Sequence, residues 1–271
     1  MRIKKKYHPY VFFYVVCMNL EEMSQIMKSS LGIKDNIVGV ALFKREEDIP
    51  KDLEPLERPF MYCQMIQTAR LHGDSFLAHA DYHECRVGAS SLGLINCPED
   101  ISSGSLYFDK LSKCESRETG ISIYQSMPHH EGSIVATYVA PLDKMVVNPD
   151  VVIFVGTPLQ ARRITQAMIY RSGGKSTFST AGIQSFCMDA TTSPYLKGEL
   201  NVSLGCDGST WYSGQDDDSV VVGIPFPMME DICTVLRDHY QDWETFMIGW
   251  RDAVIREASE KGGSPPELRI I

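Results

Sequence analysis

Four cysteines are placed where their thiols could do chemistry: Cys63, Cys85, Cys187 and Cys206. Each falls at or near a predicted helix end or a glycine turn, where backbone N–H groups and the helix dipole favour a thiolate. Four thiolates are what a [4Fe–4S] cluster or a closed zinc site requires. Their separations of 22, 102 and 19 residues contain no C-x-x-C pair, so only the fold can bring them together. The other cysteines read differently. Cys233 sits on the apolar face of a predicted helix and is expected in the core. Cys97 and Cys114 lie in an irregular middle region and Cys17 in an N-terminal extension. His83 could add a ligand through its His-x-Cys spacing, although a hydrogen-bonded structural histidine is the better reading, and His129-His130 reads as a solvated loop.

A second candidate site is the start of a helix. The apolar run Val151-Val152-Ile153-Phe154-Val155 reads as a strand buried on both faces. Gly156-Thr157-Pro158-Leu159-Gln160 follows, with Thr157 as cap, Pro158 at the first helical position and Gln160 closing a capping box. Free N–H groups there favour an anion, which makes Thr157 and Gln160 candidate cofactor-binding residues. Ordinary capping uses the same atoms. Asp207 and Gly208, beside Cys206, are candidates for the same role. Gly173-Gly174-Lys175-Ser176 follows a helix and precedes a predicted strand, the reverse of the order a P-loop needs. No serine-triad elbow and no pair of catalytic carboxylates stands out.

The elements that must position these residues alternate along the chain. Helices are predicted from Asn19 to Gly32, from Met61 to Leu71, after Cys85, from Pro158 to Arg171, beyond Pro227, and through Trp243, Phe246, Met247, Trp250 and Val254. Strands are predicted at 37–43, 76–80, 133–140, 151–155, near 177–180 and at 220–224, with residues 97–131 rich in loops. The pattern predicts an α/β or α+β domain with a central, mostly buried mixed sheet flanked by helices. Residues 18–260 form a single globular domain in this reading. Two similar halves, about 33–96 and 147–196, each run strand, helix, glycine turn, strand and cysteine. Phe76 to Cys85 and Phe178 to Cys187 have the same spacing, which suggests internal duplication of a β-α-β-Cys unit.

The 271 residues are 44% hydrophobic and 23% charged, with a net charge of −9 and eight cysteines. Acidity without a basic block argues against nucleic acid or an anionic membrane as partner. Irregular cysteine spacing in a chain this long points to free thiols in a reducing compartment, the cytoplasm. Residues 1–17, where Lys4-Lys5-Lys6 precede an apolar run, read as an extension or a misassigned start, because Met18-Asn19-Leu20-Glu21-Glu22 carries its own capping box. Residues 261–271 read as a flexible tail.

Several local patterns together resemble the family catalogued as domain of unknown function 169. They are Cys63-Gln64, His83-Glu84-Cys85 with Gly88-Ala89, Pro141-Leu142, Asn148-Pro149-Asp150-Val151-Val152, Pro158-x-Gln160 and Asn201-x-x-x-Gly205-Cys206-Asp207-Gly208-Ser209. The resemblance runs from about Asn19 to Arg237. It implies a fold family and a set of important positions without a reaction, and a setting in anaerobic archaea and bacteria that suits an oxygen-sensitive cluster. Many relatives are expected to carry a basic residue after Gly208-Ser209; Thr210 stands here, which weakens an anion-binding role for that loop. The reading is a metal-centre protein with an iron–sulfur cluster on the four cysteines, serving a redox partner or handling a small molecule. The alternatives are a metal-free small-molecule binder with structural or reactive thiols, and structural zinc in an interaction module.

Overall fold

The computed structural model describes residues 18–130, 132–240 and 243–260. The proposed extension, with Cys17, and the proposed tail lie outside the described residues, as do the side chains of Trp243, Phe246 and Met247. In chain order the elements are α1 (Leu20–Leu31), β1 (Val38–Phe43), α2 (Tyr62–His72), β2 (Phe76–His79), α3 (Arg86–Ser91), α4 (Glu99–Ser102) and α5 (Arg117–Ser126). They continue with β3 (Ala136–Pro141), β4 (Val151–Gly156), α6 (Pro158–Ile169), α7 (Ser193–Lys197), β5 (Asn201–Ser203), α8 (Asp207–Ser213), β6 (Val220–Pro225), α9 (Met229–Tyr240) and α10 (Trp243–Glu260). Two π-helical segments, Leu106–Lys110 and Ser185–Thr192, interrupt this series.

The strands form one six-stranded sheet in the order β2-β3-β1-β4-β6-β5. All its strand pairs are antiparallel, so the fold is α+β and the expected mixed sheet is corrected. Parallel pairing among the described residues is confined to two isolated bridges, Pro55↔Leu77 and Phe60↔His83. The expectation drew on the association of doubly buried strands with parallel sheets. Here both faces are covered although the sheet is antiparallel. Val152 and Phe154 of β4 pack with α1, α6 and α9, while Val151, Ile153 and Val155 pack with α2 and the 185–192 segment. Covering both faces with chain is what makes the run continuously apolar.

Local chemistry explains most element ends. The Asn19 side chain accepts from the Glu22 N–H and starts α1, and Gly32, at φ 64°, ends it. Thr157 and Gln160 form the predicted capping box at α6. The Gln160 amide also donates to the Leu31 carbonyl at 3.0 Å, tying α6 to the end of α1. Gly223 in β6 is required by close approach: a Cβ there would meet the Ala190 carbonyl oxygen at 1.9 Å, so the 185–192 segment lies directly on the strand.

Three further expectations are corrected. Residues 97–131 hold α4, the 106–110 segment and the ten-residue α5, started by Ser116 accepting from the Thr119 N–H. That helix buries only Gly120, so it shows no apolar stripe to read. Residues 177–180 are not a strand. Asn201 instead holds Ser179 with its side-chain amide, accepting from the Ser179 N–H and donating to its carbonyl, both at 2.9 Å. The two halves share a strand, a helix and a glycine turn in order, but the second lacks the strand before its cysteine, and the placements differ. β1 and β4 are neighbours in the sheet, yet α2 and α6 pack on opposite faces. Phe76 is buried in β2 while Phe178 is exposed. No described helix is long and apolar enough to cross a membrane.

Candidate metal centre

Cys63, Cys85, Cys187 and Cys206 line a single cavity of about 430 Å³ on the α2 side of the sheet. Each arrives on a different element. Cys63 is the second residue of α2, behind Met61, whose N–H donates to the Gln64 side chain at 3.0 Å. Cys85 is the N-cap of α3, its sulfur accepting from the Gly88 N–H at 3.4 Å. Cys187 is the third residue of the 185–192 segment. Its Cβ lies 3.9 Å from where a Cβ on Gly88 would stand, so α3 and this segment meet at the cavity. Cys206 is the N-cap of α8, with its sulfur accepting from the Ser209 N–H at 3.4 Å. The Cys63 thiol faces the Gly208 carbonyl at 3.9 Å, and the Gln64 amide donates to the Tyr212 carbonyl at 3.0 Å, joining α2 to α8.

Cysteine is not a preferred cap; Ser, Thr, Asp and Asn are. Two of the four thiols nevertheless occupy N-caps in this structure, where amide N–H groups point at sulfur. Such hydrogen bonds favour thiolate and are among the features that tune sulfur-bound clusters. The opposing influence is burial. It pushes Cys63 up to about 12, the Ser213 hydroxyl opposing and Cys206 and Cys85 adding to it. Cys187 is driven well above its ordinary value by burial first, and then by Cys85, Cys206 and Cys63. Four thiolates in one cavity repel one another, so they coexist only around a shared cation that displaces their protons.

The rest of the wall is largely apolar. Leu106 and Tyr107 come from the first π-helical segment, Ile183, Ser185 and Phe186 from the approach to and start of the second, and Trp211 and Tyr212 from α8. π-helical turns are rare and occur often at functional sites; here both such segments supply cavity wall. The Gln184 amide donates to the Tyr107 hydroxyl at 2.8 Å, and its carbonyl accepts from the Ser91 hydroxyl at 2.8 Å, fixing these walls to α3.

Of the predicted site residues, the structure brings together the four cysteines, Asp207 and Gly208. Thr157 and Gln160 lie away from this cavity, engaged in capping α6 and reaching α1. His83 is buried behind it, its Nε2 3.1 Å from the Thr137 hydroxyl, and burial lowers it to about 4, so it is neutral. Cys233 is fully buried among α1, α6 and α9, as expected. Sequence reasoning missed Tyr107, Lys113, Ser185 and Trp211. Lys113 and Ser185 carry no pattern a sequence could show, whereas Trp211-Tyr212 follows the Cys206 motif after one residue, Thr210.

A single ion would need its sulfurs about 2.3 Å from one point. Among the described residues, no group of three or more His, Cys, Asp or Glu could hold a metal ion. The four cysteines share one cavity without closing on a single point.

Fold and cavity together define an α+β protein with a four-cysteine chamber on one side of an antiparallel sheet. The chain belongs to the family of domain of unknown function 169, described as uncharacterised ArCR, whose model matches residues 26–234. It is 38% identical over 225 residues to the uncharacterized protein MJ0308 of Methanocaldococcus jannaschii, covering 83% of this chain and 96% of that protein. No solved structure matches.

Proposed function

We propose that Cys63, Cys85, Cys187 and Cys206 hold an iron–sulfur cluster, a [4Fe–4S] centre, in a protein with a redox or cofactor-handling role. The observation that carries this reading is the convergence of four thiols from four separate elements on one cavity. Supporting it are the amide N–H groups directed at the Cys85 and Cys206 sulfurs. The apolar wall supports it too, since burial and hydrogen bonding to sulfur are the means by which a protein sets a cluster's potential. When bound, the cluster would supply one-electron chemistry; the chain holds it, excludes water from it and orients the amides. The described cysteines are free thiols, in keeping with a reducing compartment such as the cytoplasm.

Metal-free thiols serving as nucleophiles are less well supported, because a reactive cysteine needs a lowered pKa and burial drives Cys63 and Cys187 the other way. The test is anaerobic purification followed by iron, sulfide and zinc analysis with a visible spectrum. Iron and sulfide in equal amounts with broad absorbance near about 400 nm support the cluster. Zinc in a colourless protein would transfer the site to the structural-zinc reading. Neither metal would leave the small-molecule binder.

A further inference from the structure

The cavity holds more than thiols. At about 430 Å³ it lies in the range of small-molecule pockets, and a four-iron cube built on bonds of about 2.3 Å fills only part of such a space. Besides the thiols, its wall carries two charged groups, Lys113 and Asp207. They are paired at 2.5 Å, with side-chain exposures of 32% and 65%. Both partners reach solvent, the Lys113 side chain less than that of Asp207. Exposed ion pairs of this kind contribute little stability, so an incoming anion can displace Asp207 with small loss.

Other wall groups describe the remainder of a ligand. Trp211, 82% exposed, and Tyr212 stand beside the cavity with Leu111, offering apolar surface that none of the described residues covers. We propose that the cavity binds a small organic acid with an apolar, planar body, its carboxylate on Lys113 and its body against Trp211 and Leu111. A carboxylate is favoured over a phosphate because Lys113 is the one cation on the described wall. The wall contains no arginine, and the Ser209 N–H that would otherwise serve an anion is taken by the Cys206 sulfur. This inference rests on reading the cavity as the functional site, and it names the class of molecule handled there.

The test uses the full chain purified anaerobically, with cinnamate as probe, cinnamyl alcohol as its uncharged twin and phenyl phosphate as the competing anion. Binding is followed by calorimetry and by saturation transfer from protein to ligand, and iron is measured on the same samples. Cinnamate should bind saturably and more tightly than the other two. Lys113→Met should weaken cinnamate by roughly threefold to fivefold, as for loss of a partly exposed charge partner, and leave cinnamyl alcohol unchanged. Asp207→Asn should tighten cinnamate by removing its competitor. No saturation with cinnamate, equal binding of the alcohol, tighter binding of phenyl phosphate, or indifference to Lys113→Met would each overturn the proposal. Iron-free protein that still binds cinnamate through Lys113 would sink the cluster and keep the acid site. Iron-loaded protein that does not bind it would do the reverse.

Discussion

Cys206 and Ser209 cap each other. The Cys206 sulfur accepts the Ser209 N–H at 3.4 Å, while the Ser209 hydroxyl accepts the Cys206 N–H at 2.9 Å. A capping box normally uses an oxygen on both sides, so this one holds a thiol in the place where serine would serve the helix better. The substitution Cys206→Ser therefore separates fold from function. In metal-free protein, Cys206→Ser should match or exceed the parent chain in thermal midpoint, whereas Cys206→Ala should fall below Cys206→Ser by about 1 kcal/mol, the usual value of an oxygen cap. Both should lose metal. A Cys206→Ser variant that unfolds early would show that the thiol has a packing role.

Gly223→Ala should damage the site from behind. The added methyl meets the Ala190 carbonyl oxygen, which forces the 185–192 segment off β6 and moves Cys187 with it. Overpacking of this kind typically loses about 1–3 kcal/mol, and metal content should fall together with the denaturation midpoint. Full stability and full metal content would mean that the segment adjusts freely, against the close contact observed.

Much of the fold was legible because its signals are local. Thr157, Pro158 and Gln160 mark the start of α6 without reference to anything distant, and β4 declares itself by five successive apolar residues. The four cysteines could be singled out because predicted helix ends and glycine turns stood beside them. What was not legible depends on partners far along the chain. The antiparallel sheet order hides because strands covered on both faces look alike in either direction. Thr177–Thr180 looks like a strand, yet the side chain of Asn201 takes over the hydrogen bonds a neighbouring strand would make. The π-helical turns that bring Tyr107 and Cys187 to one cavity leave no periodicity to read.

Thr157→Ala should test whether the start of α6 is a cap or a ligand site. Loss of the Thr157 hydroxyl, which accepts the Gln160 N–H at 3.3 Å, should lower stability by about 1 kcal/mol and leave metal content unchanged. Loss of metal, or of a bound cofactor, with stability intact would restore Thr157 and Gln160 as binding residues.

Metal-free protein should weaken in alkali. Cys63 and Cys233 are both pushed up to about 12 by burial, whereas a free cysteine titrates near about 8.5. The unfolded chain therefore releases their protons first. Stability from these two groups is fully present below about pH 8.5 and is lost as pH rises towards the folded values. Urea midpoints should fall between pH 7.5 and 9.5 in metal-free protein, with a smaller fall in Cys233→Ala relative to its own midpoint at pH 7.5. A flat profile across that window would contradict the burial of these thiols.

The central claim is that four cysteines act as one centre, and iron counted against single Cys→Ser substitutions tests it most directly. After anaerobic reconstitution the parent chain should hold about four irons per molecule. Substituting Cys63, Cys85, Cys187 or Cys206 should each reduce this sharply or abolish it, while Cys97→Ser, Cys114→Ser and Cys233→Ser should retain it. Full iron in Cys187→Ser, or equal loss in Cys233→Ser, would contradict the assignment.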